Sequence, residues 1–525
     1  MAKEDVPIEL VSELDSPFPP QVAEKWQGTE ADKRDMLVIG RTQQLRRNFH
    51  LISIMGFGAT LICTWEINIT TFGIGLTNGG TAGLIYGFIV VASGYSLVYA
   101  SIAELASMSP TAGGQYHWIS EFSPAFCQKY LSYLSGWLCF TGWQASISAI
   151  AFLVGNSVQT LILYHDAAYG YQRWHGSLLT IAIVVSSFFF NTVLAKKLPL
   201  VEGLVLLIHI CGVFAVAIPL WALSPRKPAS AVFTEFTNNG GWPTMGLSFW
   251  VGLMPLSGSL GGIDCVVHMS EEVKDASRTI PRAMLFSLPL NASLGFLMII
   301  TLCFCTADVD AVLSSPGGMA GFPFVQIFYD ATGSLAATTI MVLLPLISLV
   351  GSVIAEIATA SRQIWSFARD GGVPFSRQVA SVNPRWAIPL NAVVISLIIN
   401  LLLPLISIGN TAAFNAIGSL GGVAINTSYI LCIGSLLIKR LRGHKLPDRR
   451  WSLGKFGGII NAIALCYLFP IAIFQFFPPV IPVTPASMNW GSLMFGSMLT
   501  FSTVYYIVYG RKVYIPPVYR VKRNI

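Results

Sequence analysis

The sequence predicts an all-α polytopic membrane protein with about twelve transmembrane helices. Of its 525 residues, 54% are hydrophobic and only 11% are charged, which leaves too little polar surface for a soluble protein of this length. Twelve apolar stretches each approach the roughly 20 residues that a helix needs to cross a bilayer. Lys and Arg are distributed very unevenly between alternate connections. These three observations together predict the fold class.

The predicted spans are numbered 1 to 12 in chain order. They cover residues 51–72, 83–106, 130–153, 177–194, 201–223, 242–268, 283–305, 336–360, 390–408, 413–438, 456–477 and 490–509.

Basic residues predict the orientation. If the N-terminus is cytoplasmic, 29 of the 32 Lys and Arg residues fall inside, and only Arg173, Arg226 and Lys227 fall outside. The positive-inside rule therefore places both termini in the cytoplasm and requires an even number of spans. We expect a disordered cytoplasmic tail over 1–50, a transmembrane domain over 51–510 and a cytoplasmic tail over 511–525. Within the domain, spans 1–5, 6–10 and 11–12 occupy about 51–223, 242–438 and 456–509.

Several function classes are excluded by what the sequence lacks. Basic residues lie in short loops rather than in a continuous patch, so the net charge of +7 predicts no nucleic-acid partner. The nine Cys residues include no CxxC pair, and we expect neither a metal site nor a cofactor. Neither a phosphate-binding loop nor a catalytic motif such as HExxH or GxSxG is found, which argues against a pump and against an enzyme.

Spans 1 and 6 carry residues that interrupt a membrane helix. Span 6 contains Pro255 and the glycines Gly258, Gly261 and Gly262, whereas span 1 has a polar cluster around Glu66. Glu66 would cost roughly 3 kcal/mol if it faced lipid. Unwound backbone at membrane depth persists only where protein, a cavity or a ligand satisfies it, and interrupted helices in corresponding halves indicate a transporter's substrate site. Close helix packing at glycine is the alternative explanation.

Three passages carry a family resemblance: AELASMSPTAGGQYHW at 103–118, GIDCVVHMSEEVKDASRTIPR at 262–282 and SRQIWSFARDGGVPF at 361–375. In them the chain resembles the amino acid–polyamine–organocation superfamily, and within it the fungal amino acid/choline permeases. The resemblance implies a five-plus-five inverted repeat with broken helices 1 and 6, followed by two extra helices. It also implies transport by alternating access, with a plasma membrane of a fungus favoured over the vacuole.

The resemblance further implies that backbone groups and helix ends at the two breaks hold the substrate. The predicted substrate-binding residues are Ile62, Cys63, Thr64, Trp65, Glu66, Ser257, Gly258, Ser259, Leu260, Gly261, Gly262 and Asp264. Asp264 has an alternative role as a structural tie to a cytoplasmic loop. Glu66 is either a binding group for a positive amine or a structural acid paired with a neighbouring helix.

Proton coupling has two candidates. His209 aligns with a Lys that proton-coupled relatives carry on helix five, and histidine titrates near neutrality; it could equally be a core histidine. Glu356 is either a second coupling group or a partner of Arg362. Glu271 and Glu272 with Arg278 and Arg282 are predicted to form solvated or gate-closing ion pairs.

The leading functional prediction is a secondary active importer of amino acids or related amines such as γ-aminobutyrate, driven by protons. Transport of choline or another cationic amine is the alternative, because an indole ring at Trp65 and a carboxylate at Glu66 both attract a positive amine. A nutrient sensor of the same fold is a third possibility, which the short C-terminal tail disfavours. The expected partners are a small amine substrate, protons and the lipid bilayer.

Overall fold

The computed structural model describes residues 22–166, 168–384, 386–409, 411–485 and 487–522. Regular structure in these ranges is helical, apart from three isolated β-bridges. Eleven helices are long and apolar enough to cross a membrane, and a shorter apolar helix, Met245–Gly258, lies in span 6. The predicted all-α polytopic class is confirmed.

Each predicted span contains at least one helix. Spans 1 to 12 contain, in order, Leu51–Ile62 with Thr64–Thr70, Gly80–Met108, Gln128–His165, Arg173–Thr192, Leu198–Leu223, Met245–Gly258 with Cys265–His268, Ala276–Cys305, Leu335–Arg369, Leu390–Leu402, Thr411–Leu441, Gly457–Phe474 and Gly491–Tyr505. Shorter α-helices in the connections and termini are Glu30–Val38, Phe72–Thr77, Gln115–Phe122, Ala229–Thr234, Val309–Ser314, Pro316–Met319, Phe324–Thr332, Ser376–Val379, Leu405–Gly409 and Arg511–Val513.

Span 5 illustrates how the bundle orients its side chains. Large apolar residues at helical spacing are exposed on one face, whereas Glu202 and His209 are fully buried on the other. The exposed set is Leu200, Leu204, Leu207, Phe214 and Ile218. An apolar exterior with polar groups inside is the arrangement expected of a helix that faces lipid on one side and a functional interior on the other.

The segment before span 1 is folded rather than disordered over its described part. Helix Glu30–Val38 begins with a capping box, in which Thr29 and Asp32 exchange side chain and backbone hydrogen bonds. Asp32 also accepts the backbone N–H groups of Asp275 and Ala276 at 2.9 Å and lies 3.2 Å from Arg47. The prediction of a disordered tail is therefore wrong for residues 22–50, because buried polar contacts fix this segment against span 7. Residues 1–21 lie outside the described residues.

The last described residues, 511–522, reach the same end of the bundle. Asp370, at the end of span 8, pairs with Arg41 and lies 3.7 Å from Arg520, and it accepts the hydroxyl of Tyr116 at 2.9 Å. The backbone N–H of Ile515 donates to the Asp370 carbonyl at 3.0 Å. We call this region, where residues 22–50, 370 and 511–522 meet, the basic end.

Candidate functional site

The helix of span 1 is interrupted at Cys63. This residue has a φ of 42° and a ψ of 49°, a left-handed conformation that a residue with a side chain rarely adopts, and a second helix begins at Thr64. The side chain of Asn291 from span 7 accepts hydrogen bonds from the Thr64 hydroxyl at 3.1 Å and from its backbone N–H at 3.4 Å. A side chain of another helix thus supplies the partner that the interrupted helix lacks.

The helix of span 6 ends at Gly258, and a new helical turn begins only at Cys265. Within this stretch Gly262 has a φ of 88°, which glycine adopts without strain. Tyr99 donates to the Leu260 carbonyl at 2.6 Å, and Thr64 donates to the Ser259 carbonyl at 2.8 Å. The two interruptions therefore contact each other directly through Thr64 and Ser259.

Open space borders the interruption of span 6. Gly258 is exposed, and no atom lies within 4 Å of the position that a Cβ atom would take there. Gly261 is half-buried, and the ring of Trp143 lies 3.4 Å from the Cβ position of Gly262. The hydroxyl of Tyr95 is hydrogen-bonded to Ser257 at 3.1 Å. Gly258 thus borders open space, whereas the ten predicted substrate residues other than Gly258 and Gly261 are buried.

Asp264 is the centre of a polar cluster in which both of its carboxylate oxygens are paired. Its Oδ2 atom accepts from Gln115 at 2.7 Å and from the Trp143 indole at 3.3 Å, and lies 3.1 Å from His268 Nε2; its Oδ1 atom accepts from Tyr429. These partners lie in three other segments of the chain as well as in span 6 itself. The contacts support the alternative prediction of a structural tie rather than a group free to meet substrate.

Glu66 and His209 form a buried pair between spans 1 and 5. Glu66 Oε1 lies 2.7 Å from His209 Nδ1, and both side chains are fully buried. Glu66 Oε2 and His209 Nε2 have no hydrogen-bond partner. Trp65 faces the same helix, because its indole donates to the His209 carbonyl at 3.0 Å. Trp65 and Glu66 therefore point toward span 5. The contact of Glu66 fits its alternative role as an acid paired with a neighbouring helix.

Two further acids are buried in the spans without an Arg or Lys partner among the described residues. Glu202 of span 5 accepts the hydroxyl of Thr60 at 2.6 Å through Oε2. Glu356 of span 8 accepts the hydroxyl of Ser146 at 2.5 Å through Oε1. The second oxygen of each carboxylate has no partner. Glu356 does not contact Arg362, so that predicted pairing is wrong.

Sequence reasoning missed Glu202. The signal was present, because an acid inside an apolar run is as costly there as at Glu66. Glu202 was overlooked because it lies near the start of span 5, where a charged residue is expected to lie at the membrane interface.

Only one described group of potential metal ligands meets the spacing for a cation. Cys63, Glu66 and His209 place a ligand atom each within 4.8 Å of one another. However, the Cys63 thiol donates to the Thr60 carbonyl at 2.7 Å, and Glu66 and His209 contact each other directly. These contacts describe a hydrogen-bonded pair beside a protonated thiol rather than ligands arranged around a cation.

The predicted gate residues have partners different from those expected. Glu271 forms an ion pair with Arg369, and Glu272 lies 2.7 Å from Arg362, so that both acids are tied to span 8. Arg278 and Arg282 are exposed, and no contact joins them to these acids. The prediction of pairs within one loop was wrong, because the connection between spans 6 and 7 folds against span 8. Both ion pairs tie this connection to the last two turns of the span 8 helix.

Comparison with known proteins is consistent with this architecture. A family model described as "Amino acid permease" matches residues 49–499. The choline transporter of Saccharomyces cerevisiae is 30% identical over 486 residues, which cover 92% of this chain and 85% of the relative. A putative amino acid/polyamine transporter of Macrophomina phaseolina is 30% identical over 445 residues, covering 84% and 97% of the two chains. The amino-acid permease 2 of Neurospora crassa is 25% identical over 497 residues, covering 93% and 90%.

Proposed function

The chain belongs to the amino acid permease family and is a membrane transporter of amino acids or amines, and we propose that it is a proton-coupled importer working by alternating access. Its relatives are transporters and permeases rather than enzymes. The Glu66–His209 pair is the observation that carries the proposed coupling. It is buried, and it joins the interrupted helix of span 1 to span 5.

The pair can hold one proton or two. A carboxylate and an imidazole nitrogen 2.7 Å apart share one proton, and a second proton on His209 Nε2 converts the ring to imidazolium. Neither Nε2 nor Glu66 Oε2 has another partner, so gain or loss of the second proton changes the net charge without breaking an existing hydrogen bond. A charge change at this contact would alter how strongly span 1 is held against span 5.

The substrate is proposed to lie beside Gly258 and Gly261. Gly258 is exposed there, the Tyr95 hydroxyl lies 3.4 Å from the Cβ position of Gly261, and the Trp143 ring lies 3.4 Å from that of Gly262. An amino acid supplies a carboxylate for backbone N–H groups and an ammonium for backbone carbonyls. The ion pairs that tie the connection after span 6 to span 8, together with the exposed Gly258, support access from the opposite side in this conformation.

Choline is the second candidate substrate. A relative named a choline transporter shares 30% identity with this chain, and Trp143 lies against the interruption of span 6. An indole face attracts a quaternary ammonium by about 0.5–2 kcal/mol, depending on desolvation. Radiolabelled uptake of amino acids, γ-aminobutyrate, polyamines and choline separates the two candidates. Ligand-induced thermal stabilisation of purified protein provides an independent ranking.

Proton coupling is tested with His209→Gln and Glu66→Gln in proteoliposomes with an imposed pH gradient. We expect both variants to bind substrate but to lose accumulation driven by the gradient, equally for zwitterionic and cationic substrates. Retention of gradient-driven accumulation by His209→Gln would overturn the proposal. A loss confined to cationic substrates in Glu66→Gln would instead place Glu66 at the substrate.

Orientation is proposed from the basic residues, with both termini in the cytoplasm of a fungal cell and the protein in the plasma membrane. The connection after span 10 carries seven basic residues over 439–455. A cysteine introduced at Gly443, an open position with no neighbour near its Cβ, should resist an impermeant thiol reagent in intact cells. Labelling without permeabilisation would contradict the orientation.

A further inference from the structure

Glu202 is a buried acid that the proposed coupling through His209 does not use. It is fully buried in span 5, and the structure gives it one hydrogen bond, from Thr60 at 2.6 Å. Its Oε1 atom has no partner. We propose that Glu202 is a second proton-binding site and that its hydrogen bond to Thr60 couples its protonation to the position of span 1. This inference rests on the proposed proton-coupled transport.

Burial favours the neutral form of this group. An ionised carboxylate removed from water without a cation is strongly disfavoured, and such groups take up a proton or a counter-ion. Glu202 is an electrostatic neighbour of Cys63 of span 1 and of Cys265 of span 6, and neither residue carries a positive charge. Glu356 of span 8 is a further neighbour of the same two cysteines. Glu66 also faces this region from span 1, already bonded to His209 of Glu202's own helix. A proton is thus the charge compensation that the described surroundings leave available.

Thr60 can serve both protonation states of Glu202. Its hydroxyl lies 2.6 Å from Glu202 Oε2 and also 3.0 Å from the carbonyl oxygen of Gly56. When Glu202 is ionised, the hydroxyl donates to the carboxylate. When Glu202 is protonated, the hydroxyl donates to Gly56 and accepts the proton of the acid, because a hydroxyl is both donor and acceptor. The contact therefore persists through titration while its strength changes, since bonds to ionised groups are stronger.

The position of this contact separates Glu202 from the other unpaired acid. Thr60 lies three residues before the left-handed Cys63, and Glu66 lies three residues after it. Span 5 therefore contacts span 1 on both sides of the interruption, through Glu202 before Cys63 and through His209 after it. Glu356 bonds to Ser146 of span 3 and does not touch span 1. Among the described acids, only Glu202 combines a carboxylate without a basic partner with a direct bond to the first half of the interrupted helix.

The test measures the number of protons carried per substrate, from the reversal potential of transport in proteoliposomes. Wild-type protein is compared with Glu202→Gln and with the control Asp310→Asn, which neutralises an exposed acid in the connection after span 7. We expect Glu202→Gln to carry one proton fewer per substrate and to show a shallower dependence of uptake on pH, whereas Asp310→Asn keeps the wild-type ratio. Wild-type stoichiometry and pH profile in Glu202→Gln would overturn the inference.

A second pair of variants tests the same inference in case Glu202→Gln folds poorly. Thr60→Ser keeps the hydroxyl and should retain the wild-type pH profile, whereas Thr60→Val should shift it while substrate still stabilises the protein thermally. Identical profiles for Thr60→Val and wild type would also overturn the inference. If wild-type protein itself carries no protons, it is the proposed coupling that fails, and the two failures are distinguished by that single measurement.

Discussion

The two helix interruptions differ in how completely their polar side chains are paired. Beside span 6, Asp264 has partners on both oxygens from four side chains. Between spans 1 and 5, Glu66, Glu202 and His209 each keep a buried polar atom without a partner. A fully paired buried network fixes a single structure, whereas an incompletely paired one can take up a proton or a ligand with little rearrangement. The first region is therefore expected to govern stability and the second to govern transport.

The largest effect on stability is expected for Asp264→Ala. The substitution leaves Gln115, Trp143, Tyr429 and His268 without their common acceptor, and breaking a buried charged network costs about 3–5 kcal/mol. We expect a greatly reduced yield of folded protein and a lower thermal unfolding temperature in detergent. A destabilisation no larger than that of Glu66→Gln would remove the distinction between the two regions.

Arg369→Ala tests the ion pair between span 8 and the connection that follows span 6. The change strands the buried carboxylate of Glu271 and should destabilise the protein by about 3 kcal/mol. The matched control Arg278→Ala removes an exposed side chain of the same charge and should stay within about 0.5 kcal/mol. Thermal unfolding of the two variants side by side measures the difference, and equal effects would contradict the assignment of partners.

The stability that Asp32 contributes is expected to depend on pH. Burial opposes its ionisation, yet the Arg47 guanidinium and the backbone N–H groups of Ala276, Asp275 and Thr29 hold the pKa of Asp32 below its usual 3.8. Because the folded-state pKa is lowered, its stabilisation is present above pH 3.8 and is lost as the pH falls through the folded value. Asp32→Asn should therefore lower the unfolding temperature by a constant amount down to about pH 4. A difference already lost at pH 6 would contradict this assignment.

Glu66→Gln should have the smallest effect on stability, about 1 kcal/mol or less, because one neutral hydrogen bond to His209 can remain. Gradient-driven uptake should nevertheless be lost. The measurement combines the unfolding temperature with accumulation ratios from the same preparation. Lost stability together with intact accumulation would reverse the roles given to the two regions.

Much of this arrangement was predictable, for identifiable reasons. The twelve apolar stretches and the distribution of Lys and Arg depend on local composition, and the helices follow them closely. Pro255 with three nearby glycines marked the end of the span 6 helix, because these residues weaken a helix wherever they lie. Glu66 was singled out by the cost of an acid in an apolar run and His209 by its alignment with a Lys of proton-coupled relatives, but their contact was not foreseen.

The sequence by itself determined the membrane class, the positions of the spans and several candidate functional residues. Each of these depends on hydropathy or backbone preference over a few neighbouring residues. Only the tertiary structure decided the partners. Arg362 and Arg369 lie about ninety residues or more from the acids they pair with, and His209 lies 143 residues from Glu66. Such pairings follow from how twelve helices pack side by side, and packing is a property of the whole chain that no local pattern encodes.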